Sequence, residues 1–482
     1  MSTQRSALAQ DSAGFWQALG QSMAVGPLFS AALFGGIIAG VSGSAGPFVL
    51  VVSTVGVVAV SVVIATFARR HPNAGSIYGY FKHATRSKGI ANFGAGIYFY
   101  GLLWLGAGGI YIGFGILFQE FAARYLGFYP PWWAPGLIAV LVVAAINVVG
   151  VKPSVRAQLV ILAVSAIPFL ILAVKILVVG GAHGNTWQAF DPSAPTAGSI
   201  FSAFLFCIVL YLGFELSSAL GEEAKRATKT IPWAVVATVA AVGAFYILMQ
   251  YVGTIGFGLD AAQKTWGASP NGLAVLGGRY LGSWAEVWIY VAVLLDMLAV
   301  ALGFTVSAAR GLFSLGRDGV LPRCLASVTR WKTPARANAT IVVGAFAIIL
   351  GFLWSPLQTK FEAFVITAGV GALLMLLVYV GLGATLLVQA KPARGRLVRM
   401  VIAAVAMTVA GLGTYGSVTP FPSGPERWEI WFVLIGVGVG VVLALVGALG
   451  RRPAPEPVCV TASQEGERVG QGSAGRRWAG DA

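Results

Sequence analysis

Two carboxylates interrupt long apolar stretches of this sequence. Glu215 lies in FCIVLYLGFELSSALGEE and Asp296 in VAVLLDMLAVALG. A charged side chain at the centre of hydrocarbon costs about 2.5–3.5 kcal/mol on insertion scales, so each acid must face protein, water or a ligand. Fourteen residues separate Asp296 from Arg310, roughly 21 Å of helix at 1.5 Å per residue. A short side chain cannot snorkel that far. Two readings of Asp296 follow: a hydrogen-bonded acid that joins helices, or an acid that couples protons or contacts a solute. Ser165, Thr305 and Ser307 are hydroxyls that also fall inside apolar stretches.

Glycine and proline suggest what such acids accompany. Gly213 stands two residues before Glu215, and Gly26-Pro27 lies in VGPLFSAA (Val25–Ala32). Proline removes a donor and clashes with the carbonyl four residues back. Glycine in a helix costs about 1 kcal/mol relative to alanine. A helix broken in an apolar interior frees backbone groups: its N-terminal ends receive anions, its carbonyls receive cations and amines. A second glycine-rich stretch, AGVSGSAGP (Ala39–Pro47), competes with the first as the break, and it also reads as a turn between two helices.

The positioning elements must be membrane helices. The 482 residues are 57% hydrophobic and 10% charged, against about 25% charged in soluble domains. Twelve apolar spans are expected, at 17–42, 46–68, 92–119, 134–150, 157–179, 198–219, 231–256, 284–309, 337–354, 361–388, 397–416 and 430–449; about 17–25 residues cross a bilayer. Of the 32 Lys and Arg, only Arg124, Lys175, Lys264, Arg279, Lys360 and Arg427 fall in one set of alternate loops, and the other 26 fall in the opposite set. The positive-inside rule then puts both termini in the cytoplasm. The expected organisation is a cytoplasmic segment at 1–16, a membrane domain at 17–450 and a Pro-, Gly- and charge-rich disordered tail at 451–482.

Other chemistries find no support. The net charge of +15 reads as basic loops at a membrane face rather than as a nucleic-acid surface. The sequence holds no Gly-Lys dipeptide, hence no Walker A loop, and no Gly-x-Ser-x-Gly elbow. The three histidines fall in loops, and the three cysteines have no metal spacing. No enzyme activity, metal or cofactor is expected. The N-terminus lacks the pattern of a cleaved signal peptide. The GxxxG spacings at Gly36–Gly40, Gly109–Gly113 and Gly436–Gly440 indicate close helix packing.

Four stretches resemble the amino acid–polyamine–organocation superfamily of secondary transporters. They are RRHPNAGSIYGY (Arg69–Tyr80), NVVGVKPS (Asn147–Ser154), YLGFELSSALGEEAKRATKTIPWA (Tyr211–Ala234) and ARGLFSLGRDGVLP (Ala309–Pro322), the last followed by TPARAN. The resemblance implies an all-α polytopic membrane protein with a leucine-transporter-type five-plus-five inverted repeat. The repeats would cover about 17–179 and 198–388, with extra helices at about 397–449, and spans one and six would be discontinuous. Counted back from Pro72, the family's first break falls near Leu28, which favours VGPLFSAA. The substrate would then meet Val25, Gly26, Pro27, Leu28, Phe29 and Ser30 of span one and Tyr211, Leu212, Gly213 and Phe214 of span six, with Tyr211 as an aromatic lid. Glu215 would brace the inner half of span six.

Two departures stand out. Gly-Pro-Leu-Phe-Ser replaces the family's usual Gly-Ser-Gly-Ile-Phe, at the break that shapes the pocket for a substrate carboxylate. Ser165 stands where many proton-coupled members have lysine. Asp296 is the candidate for proton coupling, and Ser307, then Thr305, for sodium. The implied function is alternating-access transport of an amino acid or related small organic solute across the cytoplasmic membrane, ion-coupled and inward. The alternatives are an amino acid/amine or polyamine antiporter and a non-transporting ligand sensor. The implied partners are a small-molecule substrate and the lipid bilayer, with H+ or Na+ as coupling ion; the oligomeric state is left open.

Overall fold

Each expected span has a helical counterpart in the computed structural model. It describes Leu8 and residues 11–449 except 86, 150, 192, 194–196, 330, 356–359, 390–395, 420, 422–423 and 426. The helices are Phe15–Ser22 and Pro27–Ser42 (together span one), Gly46–Arg70, Lys88–Leu126, Trp133–Val149, Val151–Val179, Ala197–Val209, Ala227–Phe257, Ser283–Arg317, Ala335–Leu353, Lys360–Val388, Arg396–Val418 and Arg427–Leu449. Among the described residues, nine continuous stretches are long and apolar enough to cross a membrane. One of them, Phe15–Arg70, carries spans one and two, and Trp133–Val148 and Gly198–Val209 are shorter apolar helices. The described residues contain no strand, only an isolated bridge between Ala13 and Ala224. Residues 1–448 form one compact unit; of the other, Leu449–Ala482, all but the first residue lies outside the described residues. The expected disordered tail therefore also lies outside them.

Span one breaks where glycine meets proline. A short 3-10 turn, Met23–Val25, ends at Gly26 with φ 69°, and Pro27 opens the second half-helix. Left-handed φ favours glycine, and proline suits a first helical position because its missing donor would be unpaired there anyway. The competing stretch is the turn after span one: Gly43 has φ 60° and leads through a 3-10 turn into Gly46–Arg70.

Span six, expected at 198–219, is discontinuous as expected. Span six stops at Val209 and continues as tight turns, with Tyr211, Leu212, Phe214 and Leu216 each donating to the carbonyl three residues back. Gly213 has φ 111°, a conformation that no L side chain adopts without strain. A 3-10 helix, Leu216–Leu220, forms the inner half.

Two connections hold helices that apolar periodicity does not announce. Ile77–Thr85 is an amphipathic helix between spans two and three, and Gly272–Leu281 precedes span eight. Ahead of the latter, Trp266 is fully buried against span one. A Cβ on Gly36 would lie 3.1 Å from the Trp266 carbonyl, and one on Gly40 would lie 3.3 Å from the Gly267 Cα. The glycine spacing of span one thus seats a loop. In span twelve, Gly440 meets Gly96 of span three, as between closely packed helices.

Candidate functional site

The two breaks lie side by side. A Cβ on Gly213 would lie 3.3 Å from the Ala24 carbonyl and 3.1 Å from the Phe304 ring. The inner halves join through Ser22, whose hydroxyl donates to the Ser217 hydroxyl at 2.7 Å. A small cavity lies between the breaks, lined by Val25, Phe29, Ser30, Leu212, Phe304 and Phe364 among others. Phe364 of span ten sits 6.2 Å from the Phe29 ring and 5.8 Å from the Phe34 ring, forming an aromatic wall.

Both ends of this region are closed. On one side Trp266 fills the space between Gly35, Gly253 and Gly272. On the other, where the basic loops gather, Arg310 and Glu223 form a buried ion pair with Nε to Oε1 at 2.5 Å. Arg317 pairs with Glu222 and Lys82 with Asp318. Ala13 is held to this face by backbone hydrogen bonds with Glu223 and Lys225. The conformation is occluded.

Asp296 joins span eight to the break in span one. Its Oδ2 accepts the backbone N–H groups of Leu28 and Phe29, both at 2.9 Å. A carboxylate at a helix N-terminus meets unpaired donors and the positive end of the helix dipole. Gly26 lets the acid approach, since a Cβ there would stand 3.5 Å from Oδ2.

Glu215 lies on the opposite break. Its Oε2 accepts the Gly213 N–H at 3.3 Å and the Tyr379 hydroxyl at 3.2 Å. These bonds hold the unwound turn to span ten, a bracing geometry. Tyr211 is not a lid. Its hydroxyl lies 2.5 Å from that of Thr54, its ring packs edge-on to Tyr246 at 5.2 Å, and its neighbouring cavity is bounded by Val57, Leu376 and Tyr379. The Tyr246 hydroxyl donates to the Leu210 carbonyl at 2.6 Å, spanning the end of the outer helix.

The three hydroxyl candidates diverge. Ser307 donates to the Leu216 carbonyl at 2.8 Å, and Thr305 lies 3.4 Å from the Tyr111 hydroxyl. The two side chains therefore address spans six and three rather than span one. Ser165 is buried, and its hydroxyl has no partner among the described residues.

Sequence reading missed Gln21 and Gln158. Gln21 donates to the Gly303 carbonyl at 2.7 Å, and a Cβ on Gly303 would lie 3.3 Å from Gln158 Nε2. A buried amide within an apolar span was the available signal for Gln158. Tyr379 offered none, because a tyrosine in a membrane helix is an ordinary amphipathic residue.

Known proteins resemble this chain in fold and in sequence. Solved structures match in fold: a manganese transporter of Eremococcus coleocola (TM-score 0.58, 13% identity, 92% of this chain and 98% of that chain). MhsT, crystallised with L-phenylalanine, matches at TM-score 0.54 and 15% identity, over 92% of this chain and 100% of that one. The fold is thus the leucine-transporter type, with the discontinuities in spans one and six. Among curated relatives, a methylthioribose transporter of Bacillus subtilis is 28% identical over 45% of this chain and 46% of its own length. The branched-chain amino acid permease BcaP of the same organism is 26% identical over 45% of each. The chain therefore spans under half the length of these relatives. The profile of the family described as amino acid permease matches residues 14–444, and with nearly the whole span-bearing chain covered, this protein belongs to that family.

Proposed function

We propose that the protein is an alternating-access secondary transporter that moves an amino acid or related small organic solute across the cytoplasmic membrane. The carrying observation is the small cavity between two helix breaks, with the buried Trp266 packed toward one end of the bundle and the buried Arg310–Glu223 pair toward the other. Each end can open in turn while the site between them stays in place. The basic end faces the cytoplasm, following the loop charges.

Import is driven by an ion gradient in this reading. One charge moved through 100 mV supplies about 2.3 kcal/mol. Proton coupling through Asp296 is favoured because a proton on this acid would weaken its hydrogen bonds to the Leu28 and Phe29 N–H groups. Ser307 and Thr305 are engaged with spans six and three, which weakens the sodium alternative. The test is uptake by the purified protein in liposomes. Accumulation under an imposed proton gradient supports the reading; uptake indifferent to every gradient would establish exchange instead.

A further inference from the structure

We propose that Asp296 is a built-in occupant of the anion position at the span-one break, and that the substrate is an organic amine without a free carboxylate. This rests on the reading of the broken helices as the substrate site. A half-helix of this kind attracts an anion because its first-turn N–H groups are unpaired. Here every one is accounted for. The Gly26 N–H donates to the Met23 carbonyl at 3.2 Å, and Pro27 has none. Leu28 and Phe29 both donate to Asp296, and the Ser30 N–H donates to the Gly26 carbonyl at 2.8 Å. No backbone donor of that turn remains for a substrate carboxylate.

The surroundings point the same way. Among the residues lining the cavity, the only polar side chain is Ser30, and its hydroxyl already donates to the Val25 carbonyl at 3.1 Å. A buried carboxylate brought there would lose its water without gaining a partner. An acceptor, by contrast, is present. Leu212 lines the cavity, and its carbonyl accepts no hydrogen bond among the described residues. A break whose N–H groups are already taken, beside a carbonyl in want of a donor, favours a cation that donates hydrogen bonds. Asp296 thereby sets specificity from behind the break, by filling the place an amino acid would use.

The experiment compares matched pairs on the purified full chain: phenylalanine with phenethylamine, leucine with isopentylamine, ornithine with putrescine. Thermal stabilisation reads binding, and uptake above protein-free vesicles reads transport. At least one amine should bind about tenfold or more tightly than its parent amino acid. Asp296→Ala frees the two N–H groups and should raise affinity for the parent amino acid. If that variant does not elute as a single species, Asp296→Ser is read the same way. An amino acid that stabilises the wild type as well as its amine overturns the inference, as does a panel in which no amine stabilises. An unchanged preference in the variant removes Asp296 from specificity. An amine that binds but is not moved supports this inference and removes the transport reading; a free amino acid accumulated under a gradient does the reverse.

Discussion

The Asp296 carboxylate reaches across 267 positions of sequence to the backbone N–H of Phe29, 2.9 Å away. Span eight is thereby tied to the half-helix that begins at Pro27. Asp296→Asn retains a carbonyl oxygen that can accept the same N–H groups but cannot take up a proton. The variant should fold and bind solute, and uptake should lose its dependence on external pH. An unaltered pH profile of uptake would remove Asp296 from coupling.

Gly213 stands at φ 111°, with the Phe304 ring 3.1 Å and the Ala24 carbonyl 3.3 Å from where a Cβ would sit. Alanine there meets a strained backbone costing about 1–3 kcal/mol and two close neighbours. Gly213→Ala should abolish most uptake, either by re-forming helix through the break or by displacing span one. Gly351→Ala is the control, since a Cβ at that position has nothing within 4 Å. Equal uptake by the two variants would show that the turn at Gly213 has no part in transport.

Glu215 accepts from Gly213 and Tyr379, so its role as a brace separates from any role as a charge. Glu215→Gln keeps an acceptor for both donors and should leave the KM of uptake within about twofold, equivalent to less than 0.5 kcal/mol. Glu215→Ala leaves the Tyr379 hydroxyl unpaired in a buried place and should lower stability by about 1–3 kcal/mol. A Gln variant that folds normally yet loses affinity would instead make the charge itself the contact.

How much of this was legible in the residues depended on whether the cause was local. Gly26-Pro27 and Gly213 announce the breaks, because positive φ and a missing donor are properties of single residues. The spans were legible from apolar length alone, whereas the helices Ile77–Thr85 and Gly272–Leu281 in the connections were not. What Asp296 touches was not, since its partners lie 267 and 268 positions away and only packing brings them together. The same holds for Ser307, which reads as a hydroxyl free to meet an ion at the span-one break but donates to Leu216 of span six. Tyr211 misleads for a related reason: it adjoins the break in sequence, yet its side chain turns toward Thr54 and Tyr246.

His71 and His83 stack at 5.1 Å between ring centroids, at the basic end beyond span two. Burial, then the neighbouring His83 and Arg70, lower the His71 pKa below 6.5. Burial and Lys82 do the same for His83, against an opposing pull from Asp318. The folded state therefore binds these protons less readily than the unfolded chain. Their contribution to stability is fully present above the ordinary histidine value and is lost as pH falls through the lowered folded values. Thermal midpoints should fall as pH drops below about 6.5, and the double variant His71→Gln, His83→Gln should flatten that decline. An identical decline in the double variant would assign the pH sensitivity to other groups.

The pair Arg310–Glu223 is the test of how the basic end closes. Both side chains are almost fully buried, with exposures of 3% and 2%. Arg310 also donates to the Val306 carbonyl of its own helix at 3.1 Å. Removing one member leaves a buried charge uncompensated, at a cost of about 3–5 kcal/mol, whereas replacing both with uncharged groups costs far less. Glu223→Gln and Arg310→Met should each lower the thermal midpoint strongly, and the double variant should recover much of the loss. The backbone of Glu223, which holds Ala13, is untouched by these changes, so the N-terminal contact stays in place and the readout belongs to the ion pair. Strict additivity of the two losses would mean that the charges do not sense one another, and that closure at this end is carried instead by the Arg317–Glu222 and Lys82–Asp318 pairs nearer the surface.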